Sequence, residues 1–221
     1  MPVLWFNHRG KGHVLEAQYQ ETDEAASQRG RIIAEIVAVA ILVALARALR
    51  LYKLDKSLWL DEVITCRHAG RSIIDVLHKS YPLYFIVMHF LQPFGSSEMF
   101  LRLPSLIAGL AGVACTYGLA RAVSGRTGAF VAAFLVAVSP FHVEHSQEVR
   151  FYSVMALTAI LTAWALYTAI ERGGKWRWLA VLAASGLGIA NHIVFIPFLG
   201  AMMAGAGLAA LGKRRFKALG A

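Results

Sequence analysis

Charge is what this sequence has least of. Of its 221 residues, 16% are charged and 57% hydrophobic, against about 25% and about 45–50% in soluble domains. That shortage excludes an ordinary soluble globule and points to a membrane protein. Negative charge is the scarcer sign, with 13 Asp and Glu beside 22 Lys and Arg, a formal charge of +9. No basic stripe carries interleaved aromatics, which argues against nucleic acid, so the excess reads as anchors beside anionic lipid. Only two cysteines occur, Cys66 outside an apolar run and Cys115 inside one. Neither has metal-site spacing, and their placement argues against a disulfide. Internal repeats and low-complexity tracts are absent too. A signal peptide would begin basic and turn apolar at once. Instead residues 1–30 are polar and mixed in charge, "GHVLEAQYQETDEAASQRGR", and read as a floppy cytoplasmic tail.

What is present is a series of apolar runs. A helix needs about 20 mostly apolar residues to cross a hydrocarbon core of about 30 Å. The runs predict six spans, at about 31–50, 102–121, 127–143, 151–170, 177–191 and 194–212. The last two come from one uncharged stretch that must fold back near "ANHIVFIP". Segment 81–94, "YPLYFIVMHFLQPF", is short for a span and suits a helix lying in the interface. The links "RAVSGR" (121–126), "RGGKWR" (172–177) and "KRRFK" (213–217) are densely basic. Six spans put all three on the cytoplasmic side with both termini. The loop 51–101 and residues 141–150 then share the outer face, and 213–221 form a basic cytoplasmic end that reads as a truncation point. The predicted fold is an all-α polytopic membrane protein, residues 31–212 forming one transmembrane module.

The few ionisable groups gather in two outer corners. One is "SLWLDEVITCRHAG", 57–70, and the other is "SPFHVEHSQEVRFYS", 139–153. Asp61 and Glu62 open a short helix, where adjacent residues point about 100° apart, so one of the two can face a cleft. An N-cap or first-turn role for Asp61 is the plainer reading, as is a water-exposed loop for 142–150. His142, His145 and Glu148 fall three apart and offer a weak metal-ligand pattern. His192 and His89 read as structural histidines. Carboxylates facing a cleft can act as general bases, and an arginine beside them can hold phosphate in a fork of N–H donors. Together they suit displacement of a phosphate-linked group carried on a lipid.

At these residues the chain resembles the GT-C glycosyltransferases. The branch is that of the dolichyl-phosphate-mannose protein mannosyltransferases, with the lipid A aminoarabinose and lipopolysaccharide-core transferases. The likeness covers roughly residues 40–212 and rests on "LWLDE", "PLY", "LRLPS" and "SPF….SQE.R.Y" in that order. It implies a second interfacial helix around 62–74, and transfer of a hexosyl or pentosyl group from a polyprenyl-phosphate-linked donor to an acceptor hydroxyl, with inversion. That chemistry would take place at the outer face of the cytoplasmic membrane. By the same resemblance Asp61 is the base, with Glu62 completing the acidic pair. Glu148 matches a second acidic site that in some relatives helps hold a divalent metal, making Mg or Mn the candidate ion and Glu148 and Asp61 its candidate ligands. Arg150 matches the donor-phosphate position, with Gln147, Tyr152 and Tyr84 as further substrate-binding residues. Many relatives carry His-Pro-Pro before the Leu-Tyr of the surface helix. Here "SYPLY" lacks that His and the first Pro, leaving His78, Lys79 or Tyr81 to replace them. Members of the group are also longer than this chain. A non-catalytic scaffold that binds a lipid or a partner is the alternative. A transporter fits poorly, because charge inside the apolar runs (32–49, 103–120, 127–143, 151–170 and 178–211) is limited to Glu35 and Arg47, both near the ends of the first.

Overall fold

The structure, a computed structural model, describes residues 9–79 and 81–219, with side chains described over 26–79, 81–209 and at Leu211. Its elements are α1 (Arg9–Leu51), α2 (Leu60–Ala69), α3 (Ile73–Leu77), α4 (Leu83–Leu91), a 3-10 turn (Gln92–Phe94) and α5 (Glu98–Leu101). They continue with α6 (Leu103–Val138), α7 (Pro140–Ser146), α8 (Tyr152–Arg172), α9 (Lys175–Asn191) and α10 (Phe195–Leu219). No strand occurs among the described residues, and the fold is all-α. Among the described residues, three stretches are long and apolar enough to cross a membrane: Ala26–Leu51, Leu103–Val138 and Tyr152–Arg172. Leu83–Phe94 and Phe195–Ala209 are shorter apolar helices.

Two compact units are distinguished, Met1–Ile41 and Leu42–Ala221. The first holds the N-terminal part of α1. Part of the expected tail, residues 1–8, lies outside the described residues, but from Arg9 onward the chain is helical rather than floppy. Ala, Glu, Gln and Arg are strong helix formers, and continuity with the apolar run removes the cost of starting a new helix.

In the second unit α6 is a hairpin. Gly125 adopts φ 80° and ψ −167°, a break inside 36 otherwise helical residues. Val113 packs in one buried cluster with Ala133 and Ala137. On a straight helix, Val113 and Ala137 would stand about 36 Å apart at 1.5 Å per residue. The rings of Tyr117 and Phe130 likewise meet at 5.0 Å. A left-handed φ with extended ψ is a conformation essentially reserved for glycine, so Gly125 fixes where "RAVSGR" turns. Gly173 and Gly174, at φ 63° and 94°, reverse the chain between α8 and α9. The expected fold-back near "ANHIVFIP" is the gap between α9 and α10.

Small polar residues set the short helices that position the two polar corners. Ser72, Ser97 and Ser139 each accept a hydrogen bond from the backbone N–H three residues on, at 3.2, 3.3 and 3.4 Å. Such caps satisfy N–H groups that have no partner within the helix. Pro140 at the first position of α7 forfeits no bond the helix would make. Under these corners Ala69, Tyr84, Met88, Leu101 and Val149 form one buried cluster, tying α2, α4, α5 and the segment after α7 together.

Candidate active site

The corner 57–70 is organised by a buried charge from elsewhere. Arg102, at the N-terminus of α6, is fully buried. It donates to the carbonyls of Leu54 and Lys56, both at 2.6 Å, and of Ser57 at 3.3 Å. Its Nε and Nη2 reach the two oxygens of Glu62 at 3.0 and 2.8 Å. Glu62 is also fully buried. Its Oε1 accepts from the Val149 N–H at 2.7 Å and its Oε2 from the Trp59 N–H at 3.1 Å. A carboxylate offers about four lone-pair sites, and here each is taken.

This clamp decides which acid faces out. With Glu62 turned inward, Asp61 stands on the outer flank of α2 at 38% exposure. Val149 is held by Glu62, so the next residue, Arg150, lies beside Asp61. Its Nη1 is 3.2 Å from Asp61 Oδ2, and Arg150 is 18% exposed. Arg150 Nη2 donates to the Tyr152 hydroxyl at 3.3 Å, and its guanidinium carbon lies 5.5 and 5.4 Å from the ring centroids of Phe151 and Tyr152. Its Nε is buried without a hydrogen-bond partner. The arrangement offers an accessible carboxylate, a guanidinium with an N–H to spare and an aromatic wall.

Asp61, Arg150 and Tyr152 therefore come together, whereas the polar groups of Tyr84 and Gln147 are turned to other partners. Tyr84 is buried, and its hydroxyl lies 2.8 Å from Ser105 Oγ, which donates to the Arg150 carbonyl at 2.9 Å. Burial pushes its phenol above the usual tyrosine range. Gln147 turns its amide N–H groups to the carbonyls of Leu49, Arg50 and Tyr52 at 3.3, 3.0 and 2.7 Å. It thereby caps the end of α1, which stops as Lys53 takes a left-handed φ of 55°. The apolar cluster draws in Tyr84, and the unpaired carbonyls of α1 draw in Gln147.

Glu148 shares the corner and accepts from His145 Nδ1 at 2.9 Å. His145 packs against Phe141 and Tyr152, with ring centroids at 4.3 and 4.5 Å. The ligand set that the spacing of His142, His145 and Glu148 suggests does not form. His142 Nδ1 instead meets the buried Arg50 Nη2 at 2.8 Å. Among the described residues no three His, Cys, Asp or Glu side chains converge as metal ligands. In this structure the candidates Asp61 and Glu148 pair with Arg150 and His145 respectively.

One residue read from the sequence as structural sits at this corner. His192 stacks on Phe151 at 4.3 Å and 14° and lies 4.8 Å from the Tyr81 ring. Its Nδ1 accepts from the Val194 N–H at 3.2 Å. Burial, then the nearby Arg150 charge, holds the imidazole below its ordinary value of 6.5. Beside it Asn191 is buried and donates to the Phe151 carbonyl at 3.0 Å. The only sequence signal for His192 is its place at the break between two apolar runs.

The family model described as dolichyl-phosphate-mannose-protein mannosyltransferase matches residues 79–219, well over half of the chain. The match contains the 139–153 corner and His192, and begins after Asp61 and Glu62. No curated protein and no solved structure matches the chain. The all-α membrane fold, the paired polar corners and the family match agree: this chain belongs to the dolichyl-phosphate-mannose-protein mannosyltransferase family, and at that level is a membrane glycosyltransferase of the GT-C type.

Proposed function

We propose that this protein transfers a hexosyl or pentosyl group from a polyprenyl-phosphate-linked donor to an acceptor hydroxyl, with inversion, at the outer face of the cytoplasmic membrane. The observation that carries this reading is the contact between Asp61 and Arg150, 3.2 Å across two corners that are distant in sequence. Asp61 takes the acceptor proton as the acceptor oxygen bonds to the anomeric carbon. The bond from that carbon to the phosphate oxygen breaks, and polyprenyl phosphate leaves with the electron pair. Arg150 faces the charge developing on that phosphate. Before the donor arrives, Asp61 occupies the guanidinium. The donor phosphate, which the arginine fork can also hold, takes the place of the carboxylate and leaves it free to act as base. Arg150 Nε, unpartnered in the structure, supplies a further N–H to the phosphate. Tyr152, Phe151 and His192 form the wall against which the sugar or phosphate rests.

Glu62, Gln147 and Tyr84 act through others. Glu62 holds the corners in register, Gln147 fixes the end of α1, and Tyr84 supports the Arg150 backbone through Ser105. The proposed topology keeps six spans within residues 31–212, α6 supplying two of them as a hairpin and α9 and α10 the last two. Both termini are cytoplasmic and the segment between α1 and α6 is external. The basic composition of the three links supports that orientation.

The test uses the full chain in proteoliposomes with radiolabelled polyprenyl-phosphate-mannose as probe. Wild type is expected to consume the donor and release polyprenyl phosphate. Asp61→Asn is expected to lose about 10²–10⁴-fold of that rate while melting at the wild-type temperature. An Asp61→Asn protein as active as wild type would overturn the base assignment. A well-folded wild type that binds donor and never turns it over would favour the non-catalytic scaffold.

A further inference from the structure

A groove among the described residues is lined by none of the residues of the Asp61–Arg150 corner. It has a volume of about 950 Å³ and is formed by residues of the first arm of α6, of α8 and of α9. That size is at the upper end of the about 300–1,000 Å³ usual for ligand cavities. Arg121, Arg172 and Arg177 line one end of it, and no Asp or Glu does. The rest is apolar, reaching Leu161 and Leu187, with Trp164 along one wall. Arg177 donates to the Gly173 carbonyl at 2.7 Å, which holds its guanidinium beside the α8–α9 turn.

Helix geometry fixes the level of this groove. Tyr152, two residues after Arg150, begins α8, a helix of 21 residues that ends at Arg172. At 1.5 Å per residue that is about 30 Å, the thickness of a hydrocarbon core. The groove arginines therefore stand at the headgroup layer opposite the Asp61–Arg150 corner. From Arg172 back to Leu161 on α8, and from Arg177 on to Leu187 on α9, the groove runs about 15 Å. That depth is about half the core, so it spans a single leaflet.

We propose that this groove binds one anionic phospholipid of the leaflet opposite the Asp61–Arg150 corner. The headgroup sits among the guanidiniums of Arg172 and Arg177, and an acyl chain lies along Trp164 towards Leu161 and Leu187. An excess of cations with no acid in the lining favours an acidic over a zwitterionic headgroup, as in other basic pockets between membrane helices. The inference rests on α8 crossing the membrane and is independent of sugar transfer.

The experiment reads Trp164 fluorescence in the full chain reconstituted in phosphatidylcholine vesicles. A fixed fraction of acyl-brominated phosphatidylglycerol, or of equally brominated phosphatidylcholine, serves as quencher. A Trp164→Phe protein isolates the signal of this tryptophan by difference. Brominated phosphatidylglycerol is expected to quench Trp164 with an apparent affinity higher by about fivefold per contributing arginine. Arg172→Gln/Arg177→Gln is expected to lose that preference, while Arg172→Lys/Arg177→Lys retains most of it. Equal quenching by the two lipids would overturn the proposal in favour of ordinary annular lipid. Absence of quenching by either would overturn it in favour of a protein segment covering the groove.

Discussion

The Val149 N–H donates to Glu62 Oε1 at 2.7 Å, and the pair Asp61–Arg150 stands one residue along from that bond on each segment. A buried structural contact thus sets the spacing of an exposed polar one. The acid that binds is hidden, and the acid left accessible is its neighbour.

Removing the clamp is expected to unfold the corner rather than merely inactivate it. Glu62→Gln leaves the Arg102 guanidinium buried without a counter-charge, at a cost of about 3–5 kcal/mol. Thermal unfolding in detergent checks this, with Asp61→Asn as the neighbouring control expected to melt like wild type. A Glu62→Gln protein as stable as wild type would contradict the clamp.

Arg150→Lys keeps the charge and loses the fork. Lysine is a point charge on a flexible stem and does not reproduce paired N–H donation to phosphate. The KM for the lipid donor is expected to rise by at least about tenfold, the equivalent of one charge-assisted hydrogen bond. Tyr152→Phe, which removes a single 3.3 Å partner of Arg150, is expected to have a smaller effect. Donor titrations of the three proteins decide it.

His192 gives a dependence on pH with a definite sign. Its folded value is depressed below 6.5 by burial and then by Arg150, so the unfolded chain takes up this proton more readily than the folded one. The stability this residue contributes is complete above about pH 6.5 and is lost as pH falls from there towards the folded value. His192→Gln removes the titration. The wild-type melting temperature is expected to fall more steeply than that of His192→Gln as pH drops from 6.5 to 5, with the two curves parallel between pH 7 and 8. Parallel curves at all pH values would remove the inference.

Gly125→Ala tests the α6 hairpin. A Cβ there meets nothing within 4 Å, yet φ is +80°, so the cost is conformational and not steric. About 1–3 kcal/mol of destabilisation is expected. Unchanged unfolding would mean that the chain turns elsewhere.

Both polar corners are legible in the sequence because ionisable groups stand out in an oily chain. The turn of α6 is legible from the basic link "RAVSGR" between two apolar runs. Which of Asp61 and Glu62 faces outward is not, because the rotation of α2 is set by Arg102, a residue from a later helix. Gln147 and Tyr84 looked like cleft residues. Their partners are backbone carbonyls at the end of α1 and a serine on α6, and no local pattern encodes such contacts. His192 is marked in the sequence only by its place at a break between apolar runs, since its role depends on the stacking of Phe151 from another segment.

The central claim is that the two corners form one site on one face of the membrane. Single cysteines at Leu60 and at Phe141, each 72% exposed, test it in a background where Cys66 and Cys115 are replaced by serine. An impermeant thiol reagent applied to intact cells is expected to label Leu60→Cys and Phe141→Cys alike, without permeabilisation. Labelling of one in intact cells, with the other reacting only after the membrane is opened, would contradict the account.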